Sequence, residues 1–268
     1  GQVTDLWIVH GMDIPIDNEE KWETVHSRLI EMSKTIPHKE IIDIKTNIKA
    51  VMDGGILRYS NTGAGIALGA VAKCFAGQVS TALIGSYDVY KKVTPRSTSP
   101  FVDPLFSCDQ QSVRHFTCRV SRLEKEHCIY DVLPEVLKNI RVCTNDDSQE
   151  HNCGTCEKCL RTKAEFLIVG IPLSATDFDN CITVADILSL RFPVRKEDRS
   201  AVVAFWKEIL WQFLQIKHYN LAVALSFRML TSTIYINLLF RTWRRRTRGL
   251  RDSFKSFLKI FSRKMGAV

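Results

Sequence analysis

The sequence predicts an α/β protein: a doubly wound parallel sheet, a zinc knuckle and a helical C-terminal extension. Three observations carry this. Short apolar runs alternate with helix-periodic segments over residues 5–86, four cysteines crowd into residues 143–159, and the pattern beyond about residue 186 is helical only.

Each element follows from local pattern. "DLWIVH" (5–10) is a short apolar run closed by Gly11, which reads as a buried parallel strand. In residues 18–36, Trp22, Val25, Leu29, Met32 and Ile36 recur at helical steps, with Asn18 placed to cap the N-terminus. "EIIDIKT" (40–46) is a second strand. "GAGIALGAVAKCFAG" (63–77) is small and apolar, suited to a helix lying close on a sheet, and "STALIGS" (80–86) is a third strand. Three prolines mark the loop around residues 90–104. A further strand is expected in "SVRHFTCRV" (112–120), then a helix over 121–140 broken at Pro134, and another over about Glu157–Val169. In the extension, Phe205, Trp206, Leu210, Trp211 and Leu214 suggest an apolar helical face. The expected domains are 1–185 and 186–268.

Composition narrows the class. The chain has 268 residues, 45% of them apolar, which is enough for a sizeable core. Nine cysteines are many and odd in number, but a secreted disulfide scaffold would be shorter and more loop-rich, so a metal site in a reducing cytosol is the better account. "GQVTDLWIVHGMD" has no basic n-region or small-residue cleavage site, so no secretory signal is expected there. The net charge of +8 is uneven. Residues 241–268 hold ten basic side chains against Asp252 alone, so this tail carries +9 and the rest −1.

The cysteines Cys143, Cys153, Cys156 and Cys159 are spaced C-x9-C-x2-C-x2-C. Two-residue gaps let successive thiolates turn toward one tetrahedral Zn²⁺, and Gly154 supplies the positive φ such a knuckle needs. An iron–sulfur cluster and plain thiols are the alternatives. A four-thiolate zinc is closed, and its role is structural.

The segment "NCGTCEKCLRT" (152–162), preceded by a fourth cysteine, resembles the zinc segment of 7-cyano-7-deazaguanine synthase and related PP-loop ATP-pyrophosphatases. "TDLWIVHGMDIP" (4–15), "KTN" (45–47), "VDPLFS" (102–107) and "SRLEK" (121–125) resemble, in order, a branch of that superfamily found with surface-polysaccharide genes. The resemblance covers roughly residues 4–180. It implies a HUP-type, Rossmann-like fold. It also implies ATP and Mg²⁺ as ligands and adenylation of a carboxylate or carbonyl oxygen, followed by C–N bond formation. The family's "SGGxDS" phosphate loop is not in this sequence; "GGILRYS" (54–60) lacks its Asp-Ser pair. In the family that loop lies upstream of the "TDLxxVHG" motif, so either the protein extends N-terminally or this copy has lost the loop.

Strand ends supply the other candidates, because open α/β sheets bind ligands beyond the carboxyl ends of their strands. His10, Gly11 and Asp13 end the first strand, Thr46 and Asn47 the second, and Ser86 and Tyr87 the third. Each set reads as a nucleotide contact or as an ordinary capped turn. Arg122 and Lys125 stand three apart on one helix and, with Arg161, are the phosphate contacts the resemblance implies; a salt-bridged helix surface is the alternative. Asp103 and His115 are candidate contacts to the unknown acid or carbonyl substrate.

The tail is a separate signal. "LAVALSFRMLTSTIYINLLF" (221–240) contains Arg228, which disfavours a membrane span. Leu250, Phe254, Phe257, Leu258 and Phe261 form one face of a basic helix. Such a helix suits a solvated subdomain, an anionic membrane surface, or nucleic acid, in that order. The expected location is cytoplasmic, peripheral at the membrane if the tail binds lipid. A competing class is a catalytically inactive, zinc-stapled binding module that presents this tail.

Overall fold

The computed structural model describes residues 3–36, 40–55, 59, 63–86, 89–90, 98–143, 145, 148–193 and 196–232. Tyr87, most of "GGILRYS" and the basic tail 241–268 lie outside them. The chain divides into two compact units, Gly1–Cys181 and Ile182–Val268.

The first unit is mixed α/β. Strand β1 (Asp5–His10) leads through helix α1 (Glu19–Lys34) to β2 (Glu40–Lys45), which pairs with β1 in parallel, Asp5 opposite Glu40 and His10 opposite Lys45. Asn18 caps α1 as its sequence suggests, its side chain accepting from Lys21 N at 3.2 Å. Helices α2 (Ile48–Asp53) and α3 (Ala64–Lys73) follow, then β3 (Thr81–Gly85). A 3₁₀ turn at Asp103–Phe106 precedes β4 (Ser112–Phe116), which pairs with β3 in parallel. The expected single sheet is present as two parallel pairs, β1–β2 and β3–β4. β1 is half-buried rather than fully buried along most of its length.

Helices cover both faces of the first pair. His10 stacks on Trp22 of α1 at 4.2 Å between ring centroids, and Lys45 and Asp43 bond Glu19 and His26 of the same helix. These residues alternate with Trp7, Val9 and Ile44, which pack on Ala67 and Val71 of α3. The small residues of α3 permit that approach: Phe106 lies where a Cβ on Gly69 would sit, 2.5 Å from the ring. The same helix places Ala72 on Ala82 and Val113 of the second pair.

Gly11, directly after β1, has φ +98°, and a Cβ there would lie 1.7 Å from the carbonyl oxygen of Thr46. We expect Gly11→Ala to destabilise the unit by roughly 2–4 kcal/mol, because both the backbone angle and the space are lost. A urea midpoint unchanged from wild type would contradict this.

Helix α4 (Arg122–Val132) opens with a full capping box, Ser121 and Glu124 exchanging bonds. A 3₁₀ segment follows at Pro134–Asn139, consistent with the break expected at Pro134. Helix α5 (Glu157–Val169) ends on Gly170 at φ +82°. Its buried face joins Leu137, Cys143, Cys159, Ile171 and Phe178 in a second core.

The second unit holds α6 (Val184–Ser189), α7 (Lys196–Gln215) and helical backbone from residue 219 through 232. The buried face of α7 is Trp206, Ile209 and Phe213, while Trp211 is 61% exposed. This helix is apolar on more than one side, so periodicity alone selects the face poorly. Arg228 donates from Nε to the Leu190 carbonyl at the end of α6 (2.7 Å), which accounts for a charge inside an apolar run. No helix among the described residues is long and apolar enough to cross a membrane.

Candidate functional site

The four clustered cysteines converge. Their sulfurs all lie within 4.8 Å of one another, and Cys143 Sγ and Cys156 Sγ are 3.8 Å apart. A Zn–S bond of about 2.3 Å puts tetrahedral sulfurs about 3.8 Å apart, so the tetrad has the dimensions for one ion.

Local structure explains the convergence. Gly154 takes φ +68°, turning the chain between Cys153 and Cys156. Cys156 stands at the N-cap of α5, and Cys159 follows within its first turn, so both sulfurs sit where helix amides favour negative charge. Cys156 N and Thr155 Oγ1 point at Cys153 Sγ (3.3 and 3.7 Å), and Asn145 N at Cys143 Sγ (3.4 Å). Cys143 reaches the knuckle from the preceding segment through Asn152. Its Oδ1 accepts from Val142 N and Cys143 N at 3.0 and 3.2 Å, and its Nδ2 donates to Ile140 O at 2.8 Å. Buried His151 donates to Asn139 O at 3.1 Å, and burial holds its pKa below the ordinary histidine value.

The site's electrostatics favour a cation. Hydrogen bonds from Cys156 and Cys159 push the Cys143 thiol far down, while the bond to Cys143 pushes Cys159 and Cys156 up. A divalent ion would stabilise all four as thiolates, because metal ligation requires the deprotonated sulfur. Buried Lys21 donates to Asn145 O, and Lys163 lies close to Gly154, where it bonds Asn180 Oδ1 at 2.7 Å. Both side chains would offset the surplus negative charge of four thiolates around a bound divalent ion.

The strand-end candidates fall in separate groups. At β1, His10 is buried and bonds Pro15 O at 3.1 Å, while Asp13 is exposed. Thr46 N donates to His10 O at 3.0 Å, which joins the ends of β1 and β2. Asn47 is the N-cap residue of α2, a short helix not anticipated from the sequence. At β3, Lys125 Nζ donates to Ser86 Oγ (2.6 Å) and Ser86 O (3.1 Å), and Ser86 Oγ is 3.3 Å from Thr117 Oγ1. Asp103 is fully buried and accepts from His115 Nδ1 (2.6 Å), Thr98 Oγ1 (2.9 Å) and Ser99 N (3.1 Å).

Arg122 and Lys125 do not share a target. Arg122 turns to α5, donating to Glu165 Oε2 (2.6 Å) and Thr162 Oγ1 (3.0 Å). Arg161 is buried on α5, its Nε 3.7 Å from Glu157 Oε1. Glu126 completes this α4–α5 cluster, and burial together with Glu165 pushes its pKa up to about 9. Glu126 therefore binds a proton on folding. Its contribution is complete below the unfolded value and fades as pH rises through about 9. Glu126→Gln, neutral at every pH, should flatten that decline, which urea midpoints from about pH 5 to about pH 9 would reveal. Equal slopes for both proteins would contradict the assignment. Sequence reading missed Glu126, Glu165, Asn152 and Lys21; the polar "EKE" and "HN" runs gave no sign of burial.

Comparison with family models, with curated proteins and with solved structures finds no match.

Proposed function

We propose that the chain is a zinc-stapled, ATP-binding α/β domain of the PP-loop ATP-pyrophosphatase type. In this reading the two parallel pairs belong to one doubly wound, HUP-like sheet. The activity is adenylation of a carboxylate or carbonyl oxygen by ATP and Mg²⁺, ahead of C–N bond formation. The observation that carries the reading is the four-thiol tetrad at the start of α5, set in the motif order described above.

Bound zinc would be held by Cys143, Cys153, Cys156 and Cys159, and would act as a cross-link. It fixes Cys143, ahead of the knuckle, to the first turn of α5. That helix in turn holds Thr162 and Glu165 against Arg122 of α4, and α4 carries Lys125 to the end of β3. The ammonium of Lys125, already beside a hydroxyl and a carbonyl, is the cation of this group best placed to meet a phosphate. Gly11 lets the Thr46 carbonyl approach the end of β1 closely and so holds the ends of β1 and β2 together. Without an "SGGxDS" loop, residues 1–268 are expected to bind nucleotide without completing the transfer.

Equilibrium dialysis with Mg–ATP tests this. Wild type should bind, and Lys125→Ala should bind about tenfold more weakly, the loss of one charge-assisted contact. No binding by wild type, or equal binding by the variant, would sink the nucleotide reading and leave the metal reading standing. A second reading, the inactive binding module, is favoured by the carboxylate partners of Arg122 and Arg161 and by the +9 charge of residues 241–268. Flotation on anionic liposomes that requires residues 241–268 would support it.

A further inference from the structure

The helical backbone at residues 219–232 is apolar on two sides, and only one of them is covered. Leu221, Ala222 and Leu225 are buried. Tyr219, Val223, Phe227 and Leu230 are between 57% and 69% exposed. Their spacing of four, four and three residues sets all four on one side of the helix. The exposed polar residues among them, Asn220 and Ser226, carry no charge. The single charged side chain of the segment, Arg228, is engaged by the Leu190 carbonyl. A helix that meets water on one side normally presents charge there. Exposed apolar surface gathered in this way marks a contact site.

The amino-acid order after this face indicates what covers it. Residues beyond 232 lie outside the described ones, but in the sequence Ile234 and Leu238 keep the four-residue spacing from Leu230, and the arginines of "RTWRRRTR" (241–248) follow directly. Residues 241–268 carry +9. An uncharged apolar face running into a strongly cationic segment suits a helix lying in a bilayer interface. There the apolar side chains enter the acyl boundary and the basic ones meet anionic headgroups. Charge separates this cover from the others. Two copies joined through the face would bring two +9 segments together, whereas anionic lipid neutralises them. Nucleic acid would neutralise them too, but would leave four large apolar side chains in water. The contact lies on the membrane rather than across it, since no helix among the described residues is long and apolar enough to span one.

We propose that Tyr219, Val223, Phe227 and Leu230 form a monotopic contact with an anionic bilayer, with residues 241–268 supplying the electrostatic attraction. The inference rests on the second reading above for the tail's attraction to lipid. It adds that the tail does not hold the protein there alone. Attraction to a charged surface fades with salt, whereas insertion of an apolar face does not. The metal and nucleotide readings are independent of it.

Sedimentation of the full chain with vesicles of phosphatidylcholine and about one third phosphatidylserine tests it. Wild type should bind these vesicles at physiological salt, and should bind pure phosphatidylcholine about tenfold or more weakly. The double variant Val223→Ser, Phe227→Ser changes exposed positions only, so its far-UV circular dichroism should match wild type. It should bind the anionic vesicles about tenfold or more weakly. Phe227→Trp should add fluorescence that lipids brominated on the acyl chain quench. Equal binding by the double variant, or no added quenching with Phe227→Trp, would overturn the inserted face and leave the tail reading standing. No binding of wild type would overturn both. A wild-type dimer that the double variant converts to monomer, with vesicle binding unchanged, would assign the face to a second copy and overturn the proposal equally.

Discussion

Replacing Cys159 by serine should release the metal and cost the Gly1–Cys181 unit on the order of 5 kcal/mol. Cys159 is fully buried in the core formed with Leu137, Phe166 and Phe178, so the site is part of that core rather than an exposed appendage. A metal bound only by the folded chain contributes its binding energy to folding. In a unit of this size such a loss lowers Tm by roughly 10–20 °C. A chelator should give the same shift in wild type and none in the variant. A variant that melts with wild type, or a chelator-insensitive wild type, would contradict the staple. The scattered cysteines provide the control: Cys74→Ser, at an exposed position on α3's end, should leave Tm within about 2 °C.

The second large effect is expected at Asp103. Its carboxylate is buried and accepts from three groups, and two of the donors, Ser99 N and the His115 ring, have little access to water. Asp103→Ala leaves those donors facing an apolar void, at a cost of about 3–5 kcal/mol. Asp103→Asn keeps the volume but turns one acceptor into a donor, so an intermediate loss is expected. Chemical denaturation of the three proteins decides the order. An alanine variant as stable as wild type would show that the network contributes nothing to the fold. Because the same carboxylate fixes His115 at the end of β4, the asparagine variant also tests whether the ring's orientation affects ligand binding.

Much of the first unit is legible from sequence because its signals are local. Asn18 before an apolar-periodic run, Ser121 with Glu124, and Gly170 after Val169 mark helix ends through bonds made within a few residues. The knuckle is legible for the same reason: three of its sulfurs come from seven consecutive residues. What is lost is what depends on distant partners. "SRLEK" suggests that Arg122 and Lys125 point together, but Glu165 draws one side chain to α5 and Ser86 draws the other to β3. Glu126 and Glu165 read as solvated charges, and only packing of α4 on α5 buries them. Helix α2 is hidden because six residues between a strand and two glycines give too short a period to register. The division of the sheet into two pairs is a matter of which edges meet, and edge pairing leaves little trace in a strand's own composition.

The central claim is that four thiolates hold one zinc ion and thereby fix α5 to the segment ahead of it. Native mass spectrometry of the purified wild-type chain, with the absorbance spectrum of the same sample, tests this most directly. One zinc per chain, lost on Cys156→Ser, with no visible absorption band, is the predicted result. A metal-free chain that is fully folded, or a brown protein carrying iron and labile sulfide, would contradict it.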